Sequence, residues 1–264
     1  MKFLQCLTII FMILSIVAAS FLIPVVVAVF LHEWNMLSAF FIPMAVLWLI
    51  TLLLFIRTKR QSIRLTVREG ILLVCFAWLG AGLLGAVPFM LSGFVPHFSD
   101  AFFESVSGFT TTGASVLQNI ESYPMSLRVW RTQMHWLGGM GIVALTVALF
   151  PLLGVGGFQL IKSETSGPDK GKVTAKITHT AKALWFIYLG MTVLQIVLLC
   201  IAGMPFLEAM CHSFSTLGTG GFSTQNTSVG YYNSAAIEII CTVFMFLAGV
   251  NFSLYFHLFT GKPE

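Results

Sequence analysis

Charge is what this sequence lacks most. Its 264 residues include 14 Lys and Arg and 10 Asp and Glu, together 9% of the chain, whereas an average soluble protein carries about 25%. A soluble protein of this size needs a charged surface, so the composition excludes a soluble globular enzyme. The net charge of +4 comes from scattered basic residues, which excludes a nucleic-acid-binding protein. An aromatic content of 14% excludes a disordered chain.

Cysteine is also scarce, and the sequence lacks the residue groups of common active sites. The five cysteines stand in or beside apolar runs at no recurring spacing, so neither a disulfide framework nor a metal site is predicted. The apolar runs contain no Ser/His/Asp group, no paired carboxylates and no His-rich cluster. We therefore expect a protein that is not an enzyme.

Long runs without any charged residue are abundant. Six of them are long enough for a helix that crosses the hydrocarbon layer, which needs about 20 residues: 3–31, 34–56, 70–99, 132–161, 183–207 and 239–261. They predict an all-α membrane protein with six transmembrane helices. The first run could also be a signal peptide, because Lys2 precedes it and Val17-Ala18-Ala19 resembles a cleavage site. The run continues to Leu31, which favours a retained helix.

The basic residues predict the orientation. Five fall in the segment 57–69 and five in the segment 162–182, whereas the loops 92–125 and 205–234 contain none. Basic loops stay in the cytoplasm, so both termini are expected there. Arg128 and Arg131, at the outer end of the fourth predicted helix, run against this rule.

A repeat appears when the chain is shifted by 108 residues. Residues 100–115 (DAFFESVSGFTTTGAS) then match 208–223 (EAMCHSFSTLGTGGFS) at six of sixteen positions. Each copy reads as helix, short apolar segment and helix, so the two copies have the same orientation in the membrane. The spacing predicts a helix over 98–109, about 18 Å long and too short to span the membrane.

The stretches after the short helices are rich in Thr and Gly. They read TTTGA at 110–114 and GTGGF at 218–222. Non-helical backbone survives at membrane depth only when it is buried in protein or lines a water-filled path, and rings of backbone carbonyls can replace the hydration shell of a cation. Small residues also serve close helix packing, but the repetition behind a short helix favours two re-entrant pore helices.

Several motifs resemble those of the TrkH/KtrB family of potassium uptake proteins. They are MHWLGGMGI at 134–142, FPLLGVGG at 150–157 and the strings TTTGAS and GTGGFS. The resemblance implies a subunit of the bacterial inner membrane that transports K+, with four helix–pore loop–helix units around one filter after an extra N-terminal helix pair. Carried over by position, the residues that hold the ion are Thr110, Thr111, Thr112, Gly113, Gly218, Thr219, Gly220 and Gly221.

The resemblance also implies partners and a division of the chain. Family members form homodimers and are regulated by a cytosolic nucleotide-binding subunit, TrkA. The expected parts are an N-terminal helix pair with its cytoplasmic loop at 1–69, a first unit at 70–161, a linker at 162–182 and a second unit at 183–264. Since only two of four units are found, we expect the chain to be the N-terminal half of such a protein. Alternative functions are a sodium-selective or ion-coupled symporter of the same fold and a non-conducting regulatory subunit.

Overall fold

A computed structural model describes residues 2–58, 67–153, 170–250 and 254–255, so the predicted cytoplasmic segments lie partly outside it. Within these ranges the chain is helical and has no β-strand, which confirms the all-α prediction. Two short 3₁₀ helices occupy Ile120–Ser122 and Ser228–Tyr232. The α-helices are α1 Lys2–Ala19, α2 Leu22–Phe30, α3 Trp34–Arg57, α4 Val67–Leu91, α5 Phe98–Phe109, α6 Met125–Leu153, α7 Lys170–Ile201, α8 Phe206–Leu217 and α9 Ala235–Gly249.

Four stretches of the described residues are long and apolar enough to cross a membrane: Leu4–Phe30, Trp34–Arg57, Arg68–Leu91 and Ala183–Ile201. Large apolar side chains lie exposed along them, among them Ile16, Ile56 and Phe186, each at least 70% exposed. Such exposure is costly in water and is ordinary against lipid. The fold is therefore that of a multi-pass membrane protein, as the charge-free runs predicted.

The first predicted helix is wrong in one respect, because the chain forms two helices there. It turns at Ser20 and Phe21, between α1 and α2. Pro24 explains the break, since proline has no N–H to donate to the carbonyl four residues earlier and its ring crowds that carbonyl. The carbonyl is that of Ser20, and it accepts a hydrogen bond from the Gln133 side chain of α6 at 2.8 Å.

Helix α6 begins at Met125, seven residues before the charge-free run that predicted it. Its first turn is capped from outside by Glu33, which lies between α2 and α3. The Glu33 carboxylate accepts hydrogen bonds from the backbone N–H groups of Met125 at 2.7 Å and Ser126 at 3.0 Å. An anion at the N-terminus of a helix satisfies unpaired donors and complements the helix dipole, so Glu33 fastens the N-terminal helices to α6.

The largest apolar core lies between the N-terminal helices, α4, α5 and α6. Trp130 of α6 is fully buried in it. Its ring meets Phe21 at 4.6 Å and Phe109 at 6.0 Å between centroids, and its Nε1 donates to the carbonyl of Gly85 at 3.0 Å. Because Phe109 is the last residue of α5, this packing fixes the end of the short helix.

Candidate ion-binding site

Helices α5 and α8 form a matched pair. Each is twelve residues long, and both their first and last residues are 108 positions apart. Twelve helical residues extend about 18 Å, well short of the roughly 30 Å hydrocarbon layer. The bounds of α5 are those that the sequence predicted.

The chain leaves both short helices by the same route. We call residues 110–115 the first loop and residues 218–223 the second loop. In the first loop, the N–H of Thr112 bonds the carbonyl of Ser107 at 3.0 Å, and in the second the N–H of Gly220 bonds that of Ser215 at 3.0 Å. These bonds end the helices and turn the chain away from the helix axis.

Both loops also place the same positions in the left-handed region of backbone space. The φ angles are +53° at Thr111 and +57° at Thr219, followed by +75° at Gly113 and +92° at Gly221. A threonine with positive φ is strained, and strain of this kind persists only where the surrounding structure enforces it. Matched strain in two loops points to a backbone shape required by function.

The two loops touch each other at Gly113. A Cβ atom added there would lie 1.9 Å from the carbonyl oxygen of Gly220. No side chain fits in that space, so Gly113 is needed both for its φ and for this close approach.

Of the eight predicted site residues, Gly113 and Gly220 are in contact, and the others lie in the same two loops. In the first loop Thr110 and Thr112 are exposed and their hydroxyls lie 2.8 Å apart, while Thr111 and Gly113 are half-buried. In the second loop Thr219 and Gly221 are exposed, Gly220 is half-buried and Gly218 is buried. Among the described residues no cluster of three His, Cys, Asp or Glu side chains could hold a metal ion. A cation here would have backbone carbonyls and threonine hydroxyls as its ligands.

Helix α6 runs behind both loops, and two adjacent glycines allow it to come close. A Cβ at Gly138 would lie 2.1 Å from the carbonyl oxygen of Phe109, at the end of α5. A Cβ at Gly139 would lie 2.9 Å from the Cα of Gly218, just after α8. The two short helices therefore end against the same turn of α6.

His135 of α6 supports the second loop. Its ring is fully buried, stacks on Phe222 with 4.1 Å between centroids and lies 3.1 Å from the hydroxyl of Ser215 through Nδ1. A Cβ at Gly220 would lie 2.0 Å from that nitrogen. The imidazole fills the space beside the loop and determines which residue position 220 can accept.

Sequence reasoning missed a buried ion pair between α5 and α6. Arg131 of α6 donates through Nε to Glu104 of α5, and both side chains are buried. This contact also explains why Arg131 runs against the charge rule, since it is not a loop residue. The sequence did contain a signal for this pair. The short helix carries an acidic residue, and the helix that follows carries a basic residue within its length.

A second polar network lies beside α8. Glu208, in the first turn of α8, accepts hydrogen bonds from the Gln225 amide at 3.0 Å and from the Tyr232 hydroxyl. Burial, then the hydrogen bond to Glu208, raises the pKa of Tyr232, so its phenol stays protonated and continues to donate at neutral pH. Glu208 thereby holds the chain that leaves the second loop.

These features define a class, a helical multi-pass membrane protein in which two equivalent strained loops meet behind short helices. The family model for TrkH, described as a cation transport protein, matches residues 36–262. The chain belongs to the TrkH family.

Individual relatives agree with this assignment. The chain is 42% identical over 237 residues to the Trk system potassium uptake protein TrkH of Halomonas elongata, covering 89% of this chain and 49% of that protein. It is 45% identical over 207 residues to the protein of that name from Salmonella typhimurium, covering 77% and 43%. The crystal structure of the potassium transporter TrkH from Vibrio parahaemolyticus superposes with a TM-score of 0.86 at 35% identity, covering 100% of this chain and 54% of that one. The chain thus spans about half the length of these relatives.

Proposed function

We propose that this chain is a membrane subunit of a Trk-type potassium uptake system and passes K+ through a filter of backbone carbonyls. The observation that carries the proposal is the contact between two loops of the same strained shape, at which Gly113 leaves room for the carbonyl of Gly220. Rings of carbonyls at fixed spacing replace the hydration shell of a cation. Relatives that are 42% and 45% identical and bear the name potassium uptake protein support K+ as the ion.

The proposed architecture has six membrane crossings. Helices α1 and α2 together make the first, and α3 makes the second. Two parallel units follow, α4–α5–α6 for the predicted unit 70–161 and α7–α8–α9 for the predicted unit 183–264, with α5 and α8 as re-entrant pore helices. Helices α4 and α7 begin before these bounds, at Val67 and Lys170, so α7 takes up the second part of the predicted linker 162–182. Both termini and the basic segments 57–69 and 162–182 face the cytoplasm, since basic loops stay there. The ligands of K+ come from Thr110 to Gly113 and from Gly218 to Gly221.

The proposed setting is the bacterial inner membrane, with a TrkA-like nucleotide-binding subunit on the cytoplasmic side and a second copy of the protein as partner. The basic segments face the correct side for such a regulator. In the family plan of four units around one filter, the two loops described here supply two sides of the pore.

The direct test is rubidium uptake in a bacterial strain that lacks its own potassium uptake systems, complemented by a full-length version of this protein. Gly113→Ala is expected to abolish uptake, because the added Cβ collides with the carbonyl of Gly220. Gly93→Ala is the matched control. Gly93 has φ +76°, close to the +75° of Gly113, but open space around it, so it carries the same backbone strain of about 1–2 kcal/mol without the collision.

If the Gly113→Ala variant takes up as much rubidium as the Gly93→Ala variant, the proposal that the Gly113 contact forms part of a filter would be contradicted. Absence of rubidium uptake with the unaltered gene, despite protein in the membrane, would contradict the transport function itself.

A sodium-selective or ion-coupled symporter of the same fold is the second candidate. The first loop favours this candidate, because it has three threonines at 110–112 and few glycines. The second loop has two glycines and one threonine at the equivalent positions. Competition distinguishes the two candidates, since a potassium filter gives rubidium uptake that potassium blocks at far lower concentration than sodium.

A further inference from the structure

Glu104 and Arg131 form a charged pair that stability alone does not explain. Their side chains are 0% and 4% exposed. Burying two charges costs free energy that their attraction barely repays, and apolar residues of similar volume commonly serve as well or better. A geometric role is the more economical reason for such a pair, and the contacts of each partner indicate that role.

Glu104 holds the first loop. Its carboxylate accepts hydrogen bonds from the hydroxyl of Ser115 at 3.0 and 3.1 Å and from the backbone N–H of Val116 at 3.3 Å. These partners lie two and three residues after Gly113, on the chain leaving the filter contact.

Arg131 holds the second loop. Its Nη1 donates to the backbone carbonyl of Ser223 at 2.9 Å, and its guanidinium carbon lies 3.7 Å from the ring centroid of Phe222. A planar guanidinium that bonds at two edges and stacks on an aromatic ring has little freedom to move. The carbonyl of Ser223 is thereby fixed relative to α6.

The two anchor points are equivalent. Ser115 and Ser223 are 108 residues apart, each two positions after a glycine with positive φ. The pair therefore joins the same point of the first and second loops. The positions equivalent to Glu104 and Arg131 in the second half are His212 and Ile239, so this connection has no counterpart there.

We propose that Glu104 and Arg131 are positioning residues that fix the first and second loops relative to each other and thereby set the cation discrimination of the filter. The functional consequence rests on the proposed potassium filter. The positional statement does not, and the two are tested separately.

Hydrogen exchange of the purified protein in detergent tests the positional statement without any transport. Glu104→Gln removes the charge with little change of shape, and it is expected to speed amide exchange in both 113–118 and 221–226, because freeing Arg131 also frees Ser223. The control is Glu238→Gln, the same chemical change at an exposed carboxylate in the first turn of α9. Faster exchange in 113–118 alone, or in neither segment, would overturn the proposal.

A double variant separates positioning from folding. Glu104→Leu with Arg131→Met replaces the pair by apolar side chains of similar volume, which is expected to preserve the thermal stability. Both segments should still exchange faster than in the parent, because the hydrogen bonds between Glu104 and Ser115 and between Arg131 and Ser223 are lost. A stable double variant with the parent's exchange rates would show that the pair only fills space.

Rubidium uptake in the complemented strain tests the functional consequence. In the double variant, the ratio of the sodium and potassium concentrations that halve uptake is expected to fall about tenfold, within the effects that misplacing a binding group by about 1 Å produces. An unchanged ratio with faster loop exchange would overturn the link to discrimination. Absence of uptake already in the parent would instead contradict the proposed transport, and the exchange result would still decide whether the pair fixes both loops.

Discussion

Thr110 and Thr112 of the first loop correspond to Gly218 and Gly220 of the second. The backbone turns in the same way at both places, and the hydrogen bonds that end α5 and α8 are the same. The difference lies in what surrounds the loops. A Cβ at Gly218 would lie 2.4 Å from the carbonyl oxygen of His135, and one at Gly220 would collide with its imidazole.

The first loop has more room. Thr110 and Thr112 point their side chains into exposed space, and the close contact with α6 is made by Gly138 of the helix. Where α6 contacts the second loop, both sides supply glycines. Gly139 lies on α6, and Gly218 and Gly220 lie in the loop. At positions 218 and 220, glycine therefore marks the places where α6 comes closest, whereas Gly113 and Gly221 stand where the backbone of both loops has a positive φ angle. The few glycines of the first loop do not indicate a different loop backbone.

The largest effect is expected from filling the contact between α6 and the first loop. Gly138→Ala places a Cβ 2.1 Å from a backbone carbonyl that cannot move aside without shifting the end of α5. Overpacking of this kind costs roughly 3 kcal/mol in the free energy of unfolding, measurable by denaturant unfolding of the purified protein in micelles.

Gly190→Ala in α7 is the control for that change, because nothing lies within 4 Å of the added Cβ. It is expected to be neutral or to stabilise by up to about 1 kcal/mol, since alanine is the better helix former. Equal destabilisation by both substitutions would refute the assignment of Gly138 to a close contact.

A smaller effect is expected from the second contact. The Cβ added by Gly220→Ala collides with the imidazole of His135. Because the imidazole belongs to a side chain, it can partly move aside, and we expect a cost of roughly 2 kcal/mol in the free energy of unfolding. The double variant Gly220→Ala with His135→Ala should recover part of the loss, because removing the imidazole leaves space for the added Cβ. The non-additive part of a double-mutant cycle measures the coupling, and strict additivity would argue against the contact.

The smallest effect is expected in the first loop itself. Thr112→Ala removes one hydroxyl that lies 2.8 Å from that of Thr110 in an exposed position, at a cost of about 1 kcal/mol or less. The same unfolding assay measures it. A loss as large as that of Gly220→Ala would mean that the first loop is packed as tightly as the second, contrary to the comparison.

The sequence predicted α5 well because local signals define it. Pro96 and His97 precede its first residue, the Thr run follows its last, and a copy stands 108 residues later. The break between α1 and α2 escaped prediction, since hydropathy does not register the missing N–H of Pro24. The start of α6 lies seven residues before the charge-free run that predicted it, because Arg128 and Arg131 stand inside the helix and end that run.

Contacts between distant residues were beyond sequence reasoning. Glu104 and Arg131 are 27 positions apart, on helices joined by a long irregular segment, and no periodic pattern relates them. From the sequence, Gly220 could be explained only by the backbone freedom of glycine. Its actual explanation is the imidazole of His135, which leaves no space for a side chain at position 220. Such contacts depend on how helices cross, which composition and spacing do not specify.

The cap that Glu33 places on α6 has a consequence for the order of synthesis. A chain emerges from the ribosome N-terminal end first, so Glu33 is made 92 residues before the Met125 N–H group that it binds. The acceptor is therefore already present, between α2 and α3, when the first turn of α6 is synthesised, and the N-terminal segment is available to bind that turn as soon as it forms.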